Sequence, residues 1–203
     1  MNRAAVIIFA KAPVAGAAKT RLIPALGAAG AAALAERMLA HTVAMAAASA
    51  PDTLEICTSP DAGHPAFQAL AKSHALQLSL QGDGDLGQRM HQAFVRVLAT
   101  HACAVLVGTD APSLDAACLH RARAALAHRD AVFVPALDGG YALIGLRAPQ
   151  PSLFEDIPWS TADVMARTRE RLRAAGLCWE ELPPVADVDE PPDLVHLPAG
   201  WLR

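Results

Sequence analysis

Six polar clusters interrupt an otherwise apolar chain, and their residue types suit phosphate and metal chemistry. The first is Lys11-Ala12-Pro13-Val14-Ala15-Gly16-Ala17-Ala18-Lys19-Thr20-Arg21-Leu22. Small residues let backbone approach a ligand. Lysine, arginine and exposed amides suit a pyrophosphate. The spacing is neither G-x-x-x-x-G-K-[ST] nor G-x-G-x-x-G. A phosphate loop and a merely solvated basic loop therefore stand side by side as readings.

Gly82-Asp83-Gly84-Asp85-Leu86-Gly87-Gln88-Arg89-Met90 comes next. Asp85 suits a helix N-cap, while the place of the cluster after a strand keeps a ligand role open for Asp85 and Arg89. In Gly108-Thr109-Asp110-Ala111-Pro112, Asp110 leaves a buried strand, where a carboxylate is costly to desolvate unless paired or metal-bound. A Mg²⁺ or Mn²⁺ held by one or two carboxylates plus phosphate oxygens fits it; the plainer reading is a cap on the next helix. Asp138-Gly139-Gly140-Tyr141 is a ligand candidate and also a hairpin signal. Trp159-Ser160-Thr161 is the fifth candidate, and its plainer reading is Thr161 as a cap of the following helix and Trp159 as core. In Asp187-Val188-Asp189-Glu190-Pro191-Pro192-Asp193, alternation on an extended segment turns Asp187 and Asp189 the same way.

The elements that must position these clusters follow from hydrophobic pattern. Continuous apolar runs at 4–10, 53–58, 76–80, 102–107, 131–135 and 141–146 read as strands, with 179–182 as a possible edge strand. Helices are expected at 28–48, 65–73, 86–100, 115–127 and 162–175, with a short one after Pro191-Pro192. Pro13, Gly16 and Pro24 mark 11–24 as loop. Alternating strands and helices predict an α/β fold of three layers around a mostly parallel sheet. Ligands of such sheets bind beyond the carboxyl ends of the strands, and the first, third and fourth of the clusters fall there. That agreement points to an enzyme.

Composition bounds the reading. The 203 residues suit one domain over 1–203. A hydrophobic fraction of 53% with 18% charged residues excludes a disordered chain. A net charge of −3 gives no basic field for a nucleic acid. Cys57, Cys103, Cys118 and Cys178 form no C-x-x-C pair, which points to the reducing cytoplasm. The apolar start resembles a short signal peptide, but Lys11 lies in the would-be cleavage site. Glu36, Arg37 and His41 interrupt the alanine-rich stretch, so no unbroken membrane span is expected. The eight histidines show no ligand spacing, and G-x-S-x-G is absent. Oligomeric state is left open.

Taken in order, Phe9-Ala10-Lys11-Ala12-Pro13, Lys19-Thr20-Arg21-Leu22, Gly84-Asp85-Leu86-Gly87-Gln88-Arg89-Met90, Gly108-Thr109-Asp110-Ala111-Pro112, Asp138-Gly139-Gly140-Tyr141, Trp159-Ser160-Thr161 and Asp187-Val188-Asp189-Glu190-Pro191 resemble the radical-SAM/selenodomain-associated transferase family, described as arsenosugar-biosynthesis-type glycosyltransferases. The resemblance implies a Rossmann-like GT-A (nucleotide-diphospho-sugar transferase) fold, a nucleotide donor, a small-molecule acceptor and a divalent metal. It implies that Lys11, Lys19 and Arg21 hold the diphosphate, with Asp85 and Arg89 near the nucleoside. Asp110 and Asp189 would be metal ligands, and Asp110 and Asp138 catalytic. Gly139, Gly140, Tyr141, Trp159 and Thr161 would face the sugar or acceptor. The Lys19/Arg21 loop and the Asp-Val-Asp-x-Pro end also resemble nucleotidyltransferases such as phospholactate guanylyltransferase, which use an NTP and release pyrophosphate. Glycosyl transfer leads, with nucleotidyl transfer as the alternative.

Overall fold

Seven strands assemble into one sheet in the computed structural model, which describes residues 3–202. The strands are β1 (Ala4–Lys11), β2 (Thr53–Ser59), β3 (Gln77–Leu80), β4 (Cys103–Val107), β5 (Ala131–Pro135), β6 (Tyr141–Leu146) and β7 (Trp179–Glu181). Their order is β3-β2-β1-β4-β6-β5-β7. β1 runs parallel to β2 and β4, β2 to β3, and β5 to β7. Only β6 is reversed, antiparallel to β4 and β5. Val6, Ile7 and Ile8 are fully buried, as central strands covered on both faces require.

Helices α1 (Ile23–Ala48), α2 (Pro65–His74) and α4 (Ala116–Ala125) cover one face through Leu39, Val43, Phe67 and Leu119. Helices α3 (Leu86–Leu98) and α5 (Val164–Ala174) cover the other through Met90, Phe94, Met165 and Leu172. The expected three-layer α/β architecture is present. Glu55, buried on β2, receives both ends of the Arg96 guanidinium at 2.8 and 2.6 Å, which docks α3 on the sheet.

The start of α1 departs from expectation. α1 starts at Ile23, earlier than the 28 expected, with a kink at Gly27. Pro24, read as a breaker, sits in the first helical turn, where a missing N–H leaves no bond unmade. With that extension the helical stretch Thr20–Ala48 is long and apolar enough to cross a membrane by length and composition. Here Leu34, Met38, Leu39, Val43 and Ala46 are buried within the protein. The cap of α4 is Asp115, the residue that opens the helix expected at 115–127. Asp115 accepts from Cys118 N at 2.7 Å, so the capping role considered for Asp110 belongs to Asp115.

A third apolar cluster ties the C-terminal segment to the start of α1. Val188, Leu22, Ala31, Leu34 and Met38 are buried together, with Leu194, Leu197 and Trp201 packed around them. This small cluster sets where the last acidic segment crosses the sheet.

Candidate functional site

The loops at the carboxyl ends of β1, β2, β3, β4 and β5 surround a cavity of about 750 Å³. That volume suits a small organic ligand such as a nucleotide. Lys11, Lys19, Arg21, Arg89, Asp110, Asp138, Gly140, Tyr141, Trp159, Thr161 and Asp189 all line it. The clusters singled out along the chain thus share one space.

Val188 organises the acidic side. Its side chain is buried in the third cluster, and alternation turns the neighbouring Asp187 and Asp189 into the cavity. Its N–H donates to the Asp110 carbonyl at 2.8 Å, and its carbonyl accepts from Lys19 Nζ at 2.5 Å. Lys19 Nζ also lies 2.6 Å from Asp110 Oδ1 and 3.8 Å from Asp189 Oδ1. Arg21 Nη1 holds Asp189 Oδ2 at 2.9 Å and lies 3.6 Å from Glu190. The side chain of Lys19 is only 7% exposed, whereas that of Arg21 is 60% exposed. Lys19 also adopts left-handed backbone geometry (φ 47°, ψ 45°), a strained state that persists only where the surroundings enforce it.

Asp187 faces the same space. Burial, followed by the nearby carboxylates of Asp138, Asp193 and Asp110, pushes its carboxyl above the usual Asp value. Asp138 forms the tight turn between β5 and β6: its Oδ1 accepts from Gly140 N at 2.8 Å. The hairpin reading and the ligand reading of Asp138 are therefore compatible.

On the opposite wall, Gln81 anchors Arg89. Its amide donates to the carbonyls of Ala10 (3.3 Å) and Cys57 (3.1 Å), tying the ends of β1 and β2 together. Its Oε1 accepts from Arg89 Nη1 at 2.8 Å, and Arg89 Nε donates to the Asp85 carbonyl at 3.2 Å. The remaining guanidinium hydrogens are left to the cavity. The Asp85 carboxylate accepts from Gln88 N at 2.8 Å in a capping box, the helix-cap reading of that residue, and Asp85 does not line the cavity. Sequence reasoning passed over Gln81; a polar residue directly after a strand, at its carboxyl end, was the available signal.

The sugar-side candidates divide. Tyr141 Oη and Trp159 Nε1 are buried without a hydrogen-bond partner, and burial pushes the Tyr141 phenol upward so that it stays a neutral donor. The two rings meet edge to face at 6.4 Å between centroids. Trp159 packs over Gly87, where any Cβ would come within 2.6 Å of Nε1. Thr161 Oγ1 donates to the Pro158 carbonyl at 2.7 Å and fixes the loop ahead of α5. Gly139 does not line the cavity. Its φ is +96°, and a Cβ would lie 2.1 Å from the Ala162 carbonyl oxygen, so its role is to let the turn pass under that loop.

The donor set fits a hard cation. Asp110 and Asp189 are carboxylates that already converge on one positive charge, the Lys19 ammonium. Among the described residues, no three His, Cys, Asp or Glu side chains make a closed metal cage. One or two carboxylates hold Mg²⁺ when phosphate oxygens and water complete its shell.

Fold and cavity together define a GT-A-like α/β protein. The chain belongs to the bacterial family described as an uncharacterized protein conserved in bacteria (DUF2064), which matches residues 41–161. A solved structure from Desulfovibrio desulfuricans G20, provisionally assigned as a nucleotide-diphospho-sugar transferase, is 33% identical; the match covers 94% of this chain and 84% of that one with a TM-score of 0.85. A nucleotidyl transferase from Methanothermobacter thermautotroptrophicus shares the fold at 14% identity, with 100% and 99% coverage and a TM-score of 0.63. Glucosyl-3-phosphoglycerate synthase from Mycobacterium tuberculosis, in complex with Mn²⁺ and UDP, shares it at 11% identity, with 96% and 75% coverage and a TM-score of 0.56. No curated protein matches the sequence.

Proposed function

We propose that this chain is a metal-dependent transferase acting on a nucleotide-diphosphate donor, with glycosyl transfer from a nucleotide sugar as the leading reaction. The observation that carries it is the convergence of Lys19, Arg21, Asp110 and Asp189 in the cavity at the carboxyl ends of the strands. The 33% identical relative assigned as a nucleotide-diphospho-sugar transferase supports it. The order of motifs supports the finer reading of an arsenosugar-biosynthesis-type enzyme. On this reading residues 1–203 form one cytoplasmic transferase domain.

The roles follow from charge and position. Lys11, Lys19 and Arg21 neutralise the negative charge that grows on the departing nucleoside diphosphate. Arg89, fixed by Gln81, lies where it can meet the nucleoside. Asp110 and Asp189 would hold a divalent cation, which when bound polarises the phosphate oxygens. In glycosyl transfer, the acceptor oxygen bonds to the anomeric carbon while the bond from that carbon to the diphosphate breaks. Asp138 takes the proton of the acceptor hydroxyl. Tyr141 and Trp159 supply the two unpaired donors of the sugar or acceptor side.

Nucleotidyl transfer is the second reading. Asp110 lacks an adjacent second aspartate, and its carboxylate partner comes from the far C-terminal segment through Val188. Incubation with nucleoside triphosphates or nucleotide sugars, acceptors and Mg²⁺ or Mn²⁺ separates the two. Released nucleoside diphosphate supports glycosyl transfer and released pyrophosphate supports nucleotidyl transfer. The proposal as a whole fails if Asp110→Asn leaves metal-dependent nucleotide binding unchanged.

A further inference from the structure

Lys19 is assigned to the donor diphosphate, yet its ammonium is already spent on Asp110, Asp189 and the Val188 carbonyl. Resting on the reading above, we propose that Lys19 is the resident counter-ion of the Asp110/Asp189 pair. It holds the place between the two carboxylates until nucleotide and divalent cation arrive together, and its ammonium then passes to phosphate oxygens.

Three observations lead there. Lys19 Nζ lies in contact with the carboxylates that suit the metal, and its side chain is only 7% exposed, so in the resting protein those carboxylates and not solvent hold its charge. Its backbone is held left-handed, a conformation strained for a residue with a Cβ, so the surrounding structure enforces this placement. Arg21 closes the outer side of Asp189, so the latch is two cations deep. A divalent ion approaching the protein alone must displace or share space with an ammonium, which opposes its entry by like-charge repulsion. A phosphate chain arriving alone finds Lys19 neutralised by Asp110. Each ligand removes the other's obstacle, because phosphate oxygens attract the ammonium away while the cation replaces it on the carboxylates. The two ligands are therefore coupled, and the coupling is reciprocal.

The consequence is opposite to what a plain phosphate-binding lysine gives. Removing Lys19 should weaken diphosphate binding and strengthen binding of the metal alone. Mn²⁺ titration of the nucleotide-free protein, read by the loss of the free-ion paramagnetic resonance signal, tests this. Wild type should bind Mn²⁺ weakly. Lys19→Met, which keeps an unbranched buried stem, should bind it at least about tenfold more tightly. The gain should vanish in Lys19→Met/Asp110→Asn. Added nucleoside diphosphate should tighten Mn²⁺ binding by a larger factor in wild type than in Lys19→Met. Should Lys19→Met fail to fold, Lys19→Gln retains a donor for the Val188 carbonyl and must show the same gain. If the folded variants bind Mn²⁺ no better than wild type, while wild type takes Mn²⁺ with nucleotide, this proposal is wrong and the transferase reading stands. If wild type takes no Mn²⁺ even with nucleotide, the metal-dependent reading and this proposal fall together.

Discussion

Val188 donates its backbone N–H to the carbonyl of Asp110 at 2.8 Å, joining the C-terminal segment to the mouth of β4. The bond stands beside a fully buried side chain, so packing and hydrogen bonding fix the same point. Val188→Ala removes about two methyl groups from that cluster and should cost about 1.5–3 kcal/mol. It should also lower nucleotide affinity, although the Val188 side chain points away from the cavity. Val43→Ala, buried in α1, is the control with a similar stability loss. Calorimetric binding to both variants decides: equal affinity would show that the segment needs no anchor at Val188.

Arg21→Ala should separate recognition from stability. The side chain is mostly exposed, so its pairs with Asp189 and Glu190 contribute only about 0–1 kcal/mol to folding. Arginine grips two phosphate oxygens with a fixed fork. Diphosphate affinity should fall about ten- to a hundred-fold, while the unphosphorylated nucleoside binds as before. Equal losses for both ligands would make the loop structural.

Tyr141→Phe deletes a buried hydroxyl that has no partner. An unsatisfied polar group is costly, so the variant should be as stable as wild type or about 1 kcal/mol more stable. If the hydroxyl meets the sugar or acceptor, affinity for that ligand should fall about tenfold. Thermal unfolding read beside acceptor binding checks both. Lost stability with unchanged binding would mean that the hydroxyl is satisfied within the protein.

Asp187→Asn tests the acidic pocket. Burial and the carboxylates of Asp138, Asp193 and Asp110 raise the Asp187 carboxyl, so folding disfavours its charged form relative to the unfolded chain. Its contribution to stability is full below the ordinary Asp value and is lost as pH climbs through the raised folded value. At neutral pH the charge is a burden, and Asn removes it. The unfolding temperature should rise by about 2 °C at neutral pH and stay unchanged near about pH 3, where the wild-type group is protonated as well. A gain of the same size at both pH values would show that charge is not its cause.

Much of this protein was legible in one dimension. The continuous apolar strands specified a sheet buried on both faces, because only that arrangement removes Val6, Ile7 and Ile8 from water together. Local chemistry marked the turn at Asp138 and the cap at Asp85, since these bonds span two or three residues. Alternation around Val188 told that Asp187 and Asp189 share a side. Local signals could not rank competing uses of one side chain. Asp85 caps its own helix, whereas Asp110 pairs with Lys19 and leaves the capping of α4 to Asp115. Gln81 and the third cluster depend on contacts between distant segments, which no spacing encodes. The position of Lys19 between Asp110 and Asp189 is likewise tertiary. Charge and type are written in the sequence, but which charges meet depends on the packing of Leu22, Met38 and Val188 that carries the C-terminal segment back over β1 and β4.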